Sequence, residues 1–546
     1  MSDSALQPLL GAGMLVMLVL FLYLALREAK NSTSLFRYHL FGDDLKENRF
    51  TGSLISTNAS LSGAFVLILY YGFLYGPLAF PFVWSFWIIT QLTSAWTINR
   101  THAIMESHGG WTNNRATLHE FIGLVFDSPQ SRRYAGLLSL ISYLGLIAAE
   151  IVLATHLLEF VLPDNVRLPF SSLARGPFMV IAAVMLSILI YNVLSGFRGT
   201  VQTDYAQWLI ISVMIVVVGI FVVAQWPFLW SKYTTIFNAP SNGLVAAFFN
   251  PDHQGYFPYA SFVLSNIVFW GLWWPGAMDQ WQRCAAARTR RLSLNNIWGT
   301  VGFISLISFG ALTFVFLAAG VWLRVKAPDA LPSPALLREV VSGVQQWASS
   351  DLGRFGGLTL CALTFWGLVC AAMSTIDSYV MTASQALFVD VAHPQQGTTL
   401  RELSDADVEK KLLAQARAFT IFIPLLVLVF AYVFSLVSDV YALIYFAFAF
   451  MFALLPPLFV GLMGWARPAA RDACKRSLLA GGISTVLGYL VLLVGLERAL
   501  RANDAGAIFK WYQGVYWWPT AVTLIGSIVL WFSWPRGKVT EVASND

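Results

Sequence analysis

Apolar residues run through this chain in stretches of about 20, separated by short charged clusters, a pattern that predicts repeated crossing of a lipid bilayer by helices. Stretches long enough to span fall at about 8–26, 51–75, 78–98, 134–161, 177–197, 204–226, 258–278, 295–323, 356–388, 416–437, 441–464, 477–497 and 518–535. Thirteen membrane helices are therefore predicted, and 295–323 and 356–388 are long enough to tilt or to continue past the hydrocarbon. The first stretch has no basic region before it and ends in the flank Arg27 to Lys30, so it reads as a helix rather than a signal peptide. The longest loops, near 229–257 and 324–355, are about 30 residues, too short for a catalytic domain.

Composition sharpens this picture. Of 546 residues 57% are apolar and 12% charged, with a mean hydropathy of +0.65, which excludes a water-soluble domain and a single-pass receptor. If the N-terminus is outside, the loops that fall inside hold 24 of the 34 Lys and Arg residues, which predicts an N-out, C-in orientation in the cell (inner) membrane. The four cysteines, Cys284, Cys361, Cys370 and Cys474, have no paired spacing for zinc, haem or a disulfide framework. The chain has no Gly-x-x-x-x-Gly-Lys-(Ser/Thr) run, so ATP-driven transport has no motor here. Neither an enzyme nor a nucleic-acid partner is indicated.

Two spans are poor lipid-facing helices. The second packs Ser53, Ser56, Thr57, Asn58, Ser60, Ser62 and Gly63 into its first half. Backbone groups freed by unwinding in a bilayer must find partners or line a cavity, so this is a candidate for an interrupted helix whose carbonyls coordinate a cation; a close helix–helix contact is the competing reading. Five crossings later, residues 261–283 read SFVLSNIVFWGLWWPGAMDQWQR, again with Ser, Asn, Gly and Pro inside an apolar run. A five-helix unit has odd parity, so a second copy is inverted relative to the first, and paired breaks at matching positions predict a binding site at the midplane.

The motifs at these places resemble the sodium/solute symporter family, which includes bacterial sodium–galactose, sodium–proline and sialic acid carriers. The likeness covers about three-quarters of the chain. It rests on Ser53-Leu54-Ile55-Ser56-Thr57-Asn58-Ala59-Ser60 at the first break and on YNVLSGFRGTVQTDYAQ over 191–207. It rests also on Gln282-Arg283 after the second break and on AAMSTIDSYVMTASQALFVD over 371–390. Two positions depart from the family: Ser195-Gly196 replaces the usual Gly-Gly, and Ser56 stands where Ala is common. The resemblance implies an all-α, LeuT-like five-plus-five inverted repeat. It divides the chain into an extra N-terminal helix and loop (1–50), a ten-helix transport core (51–464) and two C-terminal helices with a short tail (465–546).

It also implies a sodium site built from the carbonyls of Ser56, Ala59 and Ala371 and the hydroxyls of Ser374 and Thr375. Spacing agrees, because 371, 374 and 375 share one helical face, and hard oxygens suit a hard cation. Ser or Thr bonding back to its own helix is the competing explanation. Asp204, Asp377 and Ser378 form a candidate second ion site by likeness to the sialic acid carriers; for Asp204, near the cytoplasmic end of its span, an interfacial or capping role is the competing reading. Asp377 stands where many relatives have Ser or Thr, so the pair of carboxylates either holds a second sodium or keeps a proton. Candidate solute contacts are Asn58, Ser60 and Gly63 from the first break and Trp270, Trp273 and Trp274 from the second, suiting a small neutral or zwitterionic molecule. Glu150, in mid-span, contacts solute, a proton or a neighbouring polar helix. His156 reads as a packed or interface residue and His119-Glu120 as a cap region. The expected function is sodium-coupled import of a small polar organic solute, with sodium as coupling ion and no other cofactor. The alternatives are a proton-coupled carrier and a transporter-like membrane sensor.

Overall fold

The computed structural model describes residues 6–40, 47–76, 79–107, 117–163, 166–169, 171, 173–236, 259–286, 300–327, 336–394, 406–436, 440–502 and 505–535. Its helices are α1 (Leu6–Ala29), α2 (Leu35–Leu40), α3 (Glu47–Asn58), α4 (Leu67–Tyr75), α5 (Ala79–Glu106), α6 (Leu118–Val125), α7 (Pro129–Leu158), α8 (Arg175–Ala224), α9 (Trp226–Ile236), α10 (Tyr259–Gly276), α11 (Met278–Ala286), α12 (Thr300–Lys326), α13 (Leu336–Asp351), α14 (Gly353–Gln385), α15 (Ala406–Phe434), α16 (Val440–Phe452), α17 (Leu455–Leu462), α18 (Arg471–Arg501) and α19 (Ala505–Ser533). One π-helical turn, Leu61–Val66, precedes α4, and another, Ala386–Ala392, extends α14. Helix occupies each of the thirteen predicted spans. Among the described residues eight helices are long and apolar enough to cross a membrane, or ten if each of two bent pairs counts as one.

Helix α8 contains the fifth and sixth predicted spans. Fifty residues of straight α-helix would reach about 75 Å, more than twice a bilayer's hydrocarbon thickness of about 30 Å, so the chain must turn within it. The turn is at Gly196, whose φ of 59° and ψ of −152° lie in a region essentially reserved for glycine. A Cβ there would also press into the Tyr38 carbonyl of α2. Of the Ser195-Gly196 pair only the second position requires glycine; the Ser195 hydroxyl bonds back to the Tyr191 carbonyl at 2.6 Å.

The second span is broken, as its polar run predicts. Helix α3 ends at Asn58, Ser60 is extended (φ −68°, ψ 149°), and the two halves meet at 58°. Ser60 caps the second half by accepting the Gly63 N–H at 2.8 Å. The seventh span breaks at Ala277, after Pro275, which has no N–H to continue the ladder. A third bend, of 40° between Phe452 and Leu455, divides the eleventh span, where Pro456 and Pro457 open α17.

Two further features depart from expectation. The stretch near 324–355, expected as a loop, contains α13, whose Leu336, Leu337, Val340, Val341 and Val344 bury one helical face. Helix α9 occupies the start of the other long connection. Small residues allow a close backbone contact between α4 and α12: Gly72 of α4 lies against the Leu317 carbonyl of α12, and Gly320 lies against the Leu69 carbonyl in return. Of the basic residues behind the expected orientation, Lys46, Arg115, Arg288, Arg290, Arg291, Arg401, Arg536 and Lys538 lie outside the described residues.

Candidate functional site

The two breaks meet. Asn58 Oδ1, the last residue of α3, accepts a hydrogen bond of 2.9 Å from Gln280 Nε2 in the first turn of α11. Helix α14 closes the other side of α3. Ser374 Oγ donates to the Ser56 carbonyl at 3.0 Å and to the Ala371 carbonyl at 3.0 Å, and Thr375 Oγ1 lies 3.3 Å from the Thr57 carbonyl and 3.1 Å from that of Ala371. Asn58 is half-buried and the other residues of this group are buried. The hydroxyls thus do both things expected of them at once, bonding back to their own helix and reaching the last turn before the break. Four of the five residues expected at the sodium site, Ser56, Ala371, Ser374 and Thr375, come together. Ala59, the fifth, is at the break itself, with its N–H bonded to the Ile55 carbonyl at 2.8 Å.

One helical turn along, the expected second ion site holds a feature absent from the sequence reading. Asp204 Oδ2 accepts from Ser53 Oγ at 2.6 Å and from Ser378 Oγ at 3.3 Å, and the Arg283 guanidinium stands 3.4 Å from it. Arg283 is 1% exposed, and it also donates to Thr57 Oγ1 and to Ser378 Oγ at 2.8 Å. A cation of the protein itself therefore lies beside the Asp204 carboxylate. Asp377 faces other partners, accepting from Tyr191 Oη at 2.7 Å and Thr203 Oγ1 at 3.1 Å. Asp204 Oδ1 and Asp377 Oδ1 are both buried without a hydrogen-bond partner among the described residues.

The solute candidates divide. Ser60 and Gly63 serve the cap of the π-turn, and Asn58 ties the two breaks together. Trp270 and Trp273 form an edge-to-face pair at 5.6 Å, continued by Trp87 at 5.1 Å from Trp270 and by Phe448 at 6.4 Å from Trp273. Neither indole N–H has a hydrogen-bond partner among the described residues. Trp274 is buried, and its carbonyl accepts the Ala277 N–H across the second break at 3.0 Å. Glu150, fully buried on α7, reaches the start of the second half of the first broken helix. Its Oε1 accepts the Ser62 N–H at 3.1 Å and the Ser62 hydroxyl.

The sequence reading passed over Asp279, although a carboxylate and a guanidinium four residues apart inside an apolar run are a signal in themselves. Asp279 Oδ1 accepts from Tyr143 Oη at 2.7 Å, its N–H donates back to Tyr143 Oη at 2.8 Å, and its Oδ2 lies 3.8 Å from Arg283 Nη1. His119-Glu120 is more than a cap region. Glu120 completes a capping box with Thr117, but His119 bonds Asp390 at 2.8 Å and Ser139 at 2.6 Å, and Arg132 bonds Asp390 at 2.8 Å. That buried network fastens α6 and α7 to the extension of α14. His156 lies 3.6 Å from Glu159 at the end of α7, away from both breaks.

No family model matches the chain, and no curated protein matches it. Among solved structures, that of a Na+-coupled sialic acid symporter, in a substrate-bound outward-open state, is similar over 96% of this chain and 97% of its own, with a TM-score of 0.65 and 15% identity. An Eremococcus coleocola manganese transporter is similar over 92% of this chain and 100% of its own, at a TM-score of 0.48 and 13% identity. The first likeness extends over nearly the whole of both chains, and it establishes that this protein has the all-α fold of a multi-pass membrane transporter.

Proposed function

We propose that the protein is a sodium-coupled symporter that imports a small polar organic solute by alternating access, as the resemblance to the sodium/solute symporter family implies. The observation that carries this reading is the meeting of the Ser374 and Thr375 hydroxyls with the Ser56 and Thr57 carbonyls at the end of the interrupted helix. Carbonyl and hydroxyl oxygens are the donor set a hard monovalent cation needs, and an ion among them would tie α14 to the half-helix that also frames the solute site. Sodium binding then favours the outward-open arrangement, and rocking of the core, residues 51–464, exposes ion and solute inward. One positive charge crossing 100 mV releases about 2.3 kcal/mol, equivalent to roughly fiftyfold accumulation of solute per ion.

The test is uptake into proteoliposomes under imposed sodium or proton gradients. Uptake driven by sodium alone is expected, and Ser374→Ala and Thr375→Ala should each raise the sodium half-saturation roughly tenfold. Sodium-independent uptake, or an unchanged half-saturation in both variants, would remove the ion from this place. Accumulation driven by a proton gradient would turn attention to Asp377, whose carboxylate has hydroxyl partners and no contacting cation among the described residues.

A further inference from the structure

The run from Leu61 to Tyr75, π-turn and α4 together, begins inside the protein, and its first N–H groups form a positive helix end. In transporters with broken helices such ends face the anionic groups of substrates. Here a carboxylate of the protein already occupies that place: Glu150 accepts from the Ser62 N–H and hydroxyl through Oε1, while its Oε2 is fully buried and has no partner among the described residues. A helix end carries about half a positive charge, so it offsets only about half of the carboxylate. No Lys, Arg or His contacts Glu150 among the described residues. The neighbouring half-helix is arranged alike, with Asp279 in the first turn of α11, and the Arg283 guanidinium is shared between Asp279 and Asp204. The breaks are thus lined by several carboxylates; Glu150, like Asp204 and Asp377, keeps a buried oxygen without a hydrogen-bond partner among the described residues, and of the three it is the one at the start of the second half of the broken helix.

We propose that the transported solute carries a protonated amine and that Glu150 Oε2 receives it. This rests on the reading of the protein as a carrier and names its substrate class. An N–H⁺ group supplies at one time the hydrogen-bond donor and the charge that Oε2 lacks, whereas a solute carboxylate meets a helix end that is already taken and a like charge beside it. The aromatic wall defines the rest of the molecule. Helix α16 connects the two sides: its Ala447 carbonyl accepts from Ser142 Oγ on α7 at 2.6 Å, and its Phe448 packs edge-on against Trp273. The unpartnered indole N–H groups of Trp270 and Trp273 call for acceptor oxygens on the solute, and their ring faces tolerate a cation.

The experiment is thermal unfolding of the purified full-length protein in sodium with matched probes differing in one group: ethanolamine, ethylene glycol and glycolate; glucosamine, glucose and glucuronate; alanine and N-acetylalanine. Amine members are expected to raise the unfolding midpoint and their neutral and acidic counterparts to leave it unchanged. Glu150→Gln, which keeps an acceptor for Ser62, should weaken amine binding roughly ten- to a hundredfold. Stabilisation by neutral or acidic members equal to that by amines, no stabilisation by any amine, or full retention of amine affinity in Glu150→Gln would overturn the proposal. The wild-type ranking alone decides the matter if the variant does not fold. Repeating the series in potassium separates the two readings, because amine binding that persists without sodium sinks the ion coupling and leaves the amine preference standing.

Discussion

Taking a guanidinium out of water costs several kcal/mol, and Arg283 is held in the interior only because Asp204, Asp279, Thr57 and Ser378 surround it. Removing one partner of such a pair costs about 3–5 kcal/mol, since the other charge is left buried alone. His39 on α2 follows the opposite logic. It is fully buried, stacked on Phe388, with neither ring nitrogen bonded among the described residues, and burial pushes its pKa down from 6.5 to about 3, against a smaller upward pull from Asp390. Below pH 6.5 the unfolded chain binds a proton at His39 that the folded protein refuses. Stability from this residue is therefore complete above pH 6.5 and falls with acidification by about 1.4 kcal/mol per pH unit towards pH 3. Midpoints measured from pH 7 to pH 4 should decline less steeply in His39→Leu than in the wild type; parallel curves would refute this. The Ala371, Ser374 and Thr375 face was readable because one helix fixes it. The Arg283 pairing was not, because Asp204 lies 79 residues away and only packing makes them neighbours.

At the scale of elements, breaks and corners are placed by a few residues. Gly196 kinks one fifty-residue helix, and Gly196→Ala combines a strained backbone, about 1–3 kcal/mol, with a clash against Tyr38. It should lower the unfolding midpoint sharply, whereas Ser195→Gly, which loses only a back-bond within its own helix, should change stability by less than about 1 kcal/mol. Equal effects would show that the corner tolerates a side chain. The break after Asn58 was legible from a run of small polar residues that makes a poor lipid-facing helix. The bend between α16 and α17 was equally written in Pro456 and Pro457 but was read as one straight span. Helix α13 was missed for a different reason: its apolar face is too narrow for a membrane span, so a search for crossings passes over it.

On the scale of the whole molecule, the proposed ion and solute sites are seams between elements distant in sequence, so their occupancy is expected to stabilise the assembled bundle. Sodium at a hundred times its dissociation constant would add about 2.7 kcal/mol to folding stability. Unfolding in sodium should therefore occur at a higher temperature than in potassium at equal ionic strength, and the double variant Ser374→Ala, Thr375→Ala should lose the difference. Identical midpoints in the two salts would count against an ion at the α3–α14 seam.

The sequence alone determined that the chain crosses a membrane many times, where its second and seventh spans are interrupted, and which helix faces carry oxygen. Those are local properties, set by runs of apolar residues, by helical period and by the conformations Gly, Pro and Ser permit. Tertiary structure decided which of these faces touch: that Glu150 caps a half-helix nearly ninety residues before it, and that Arg283 lies beside Asp204. Charge balance in the interior is a sum over several helices, and no single stretch of sequence contains that sum.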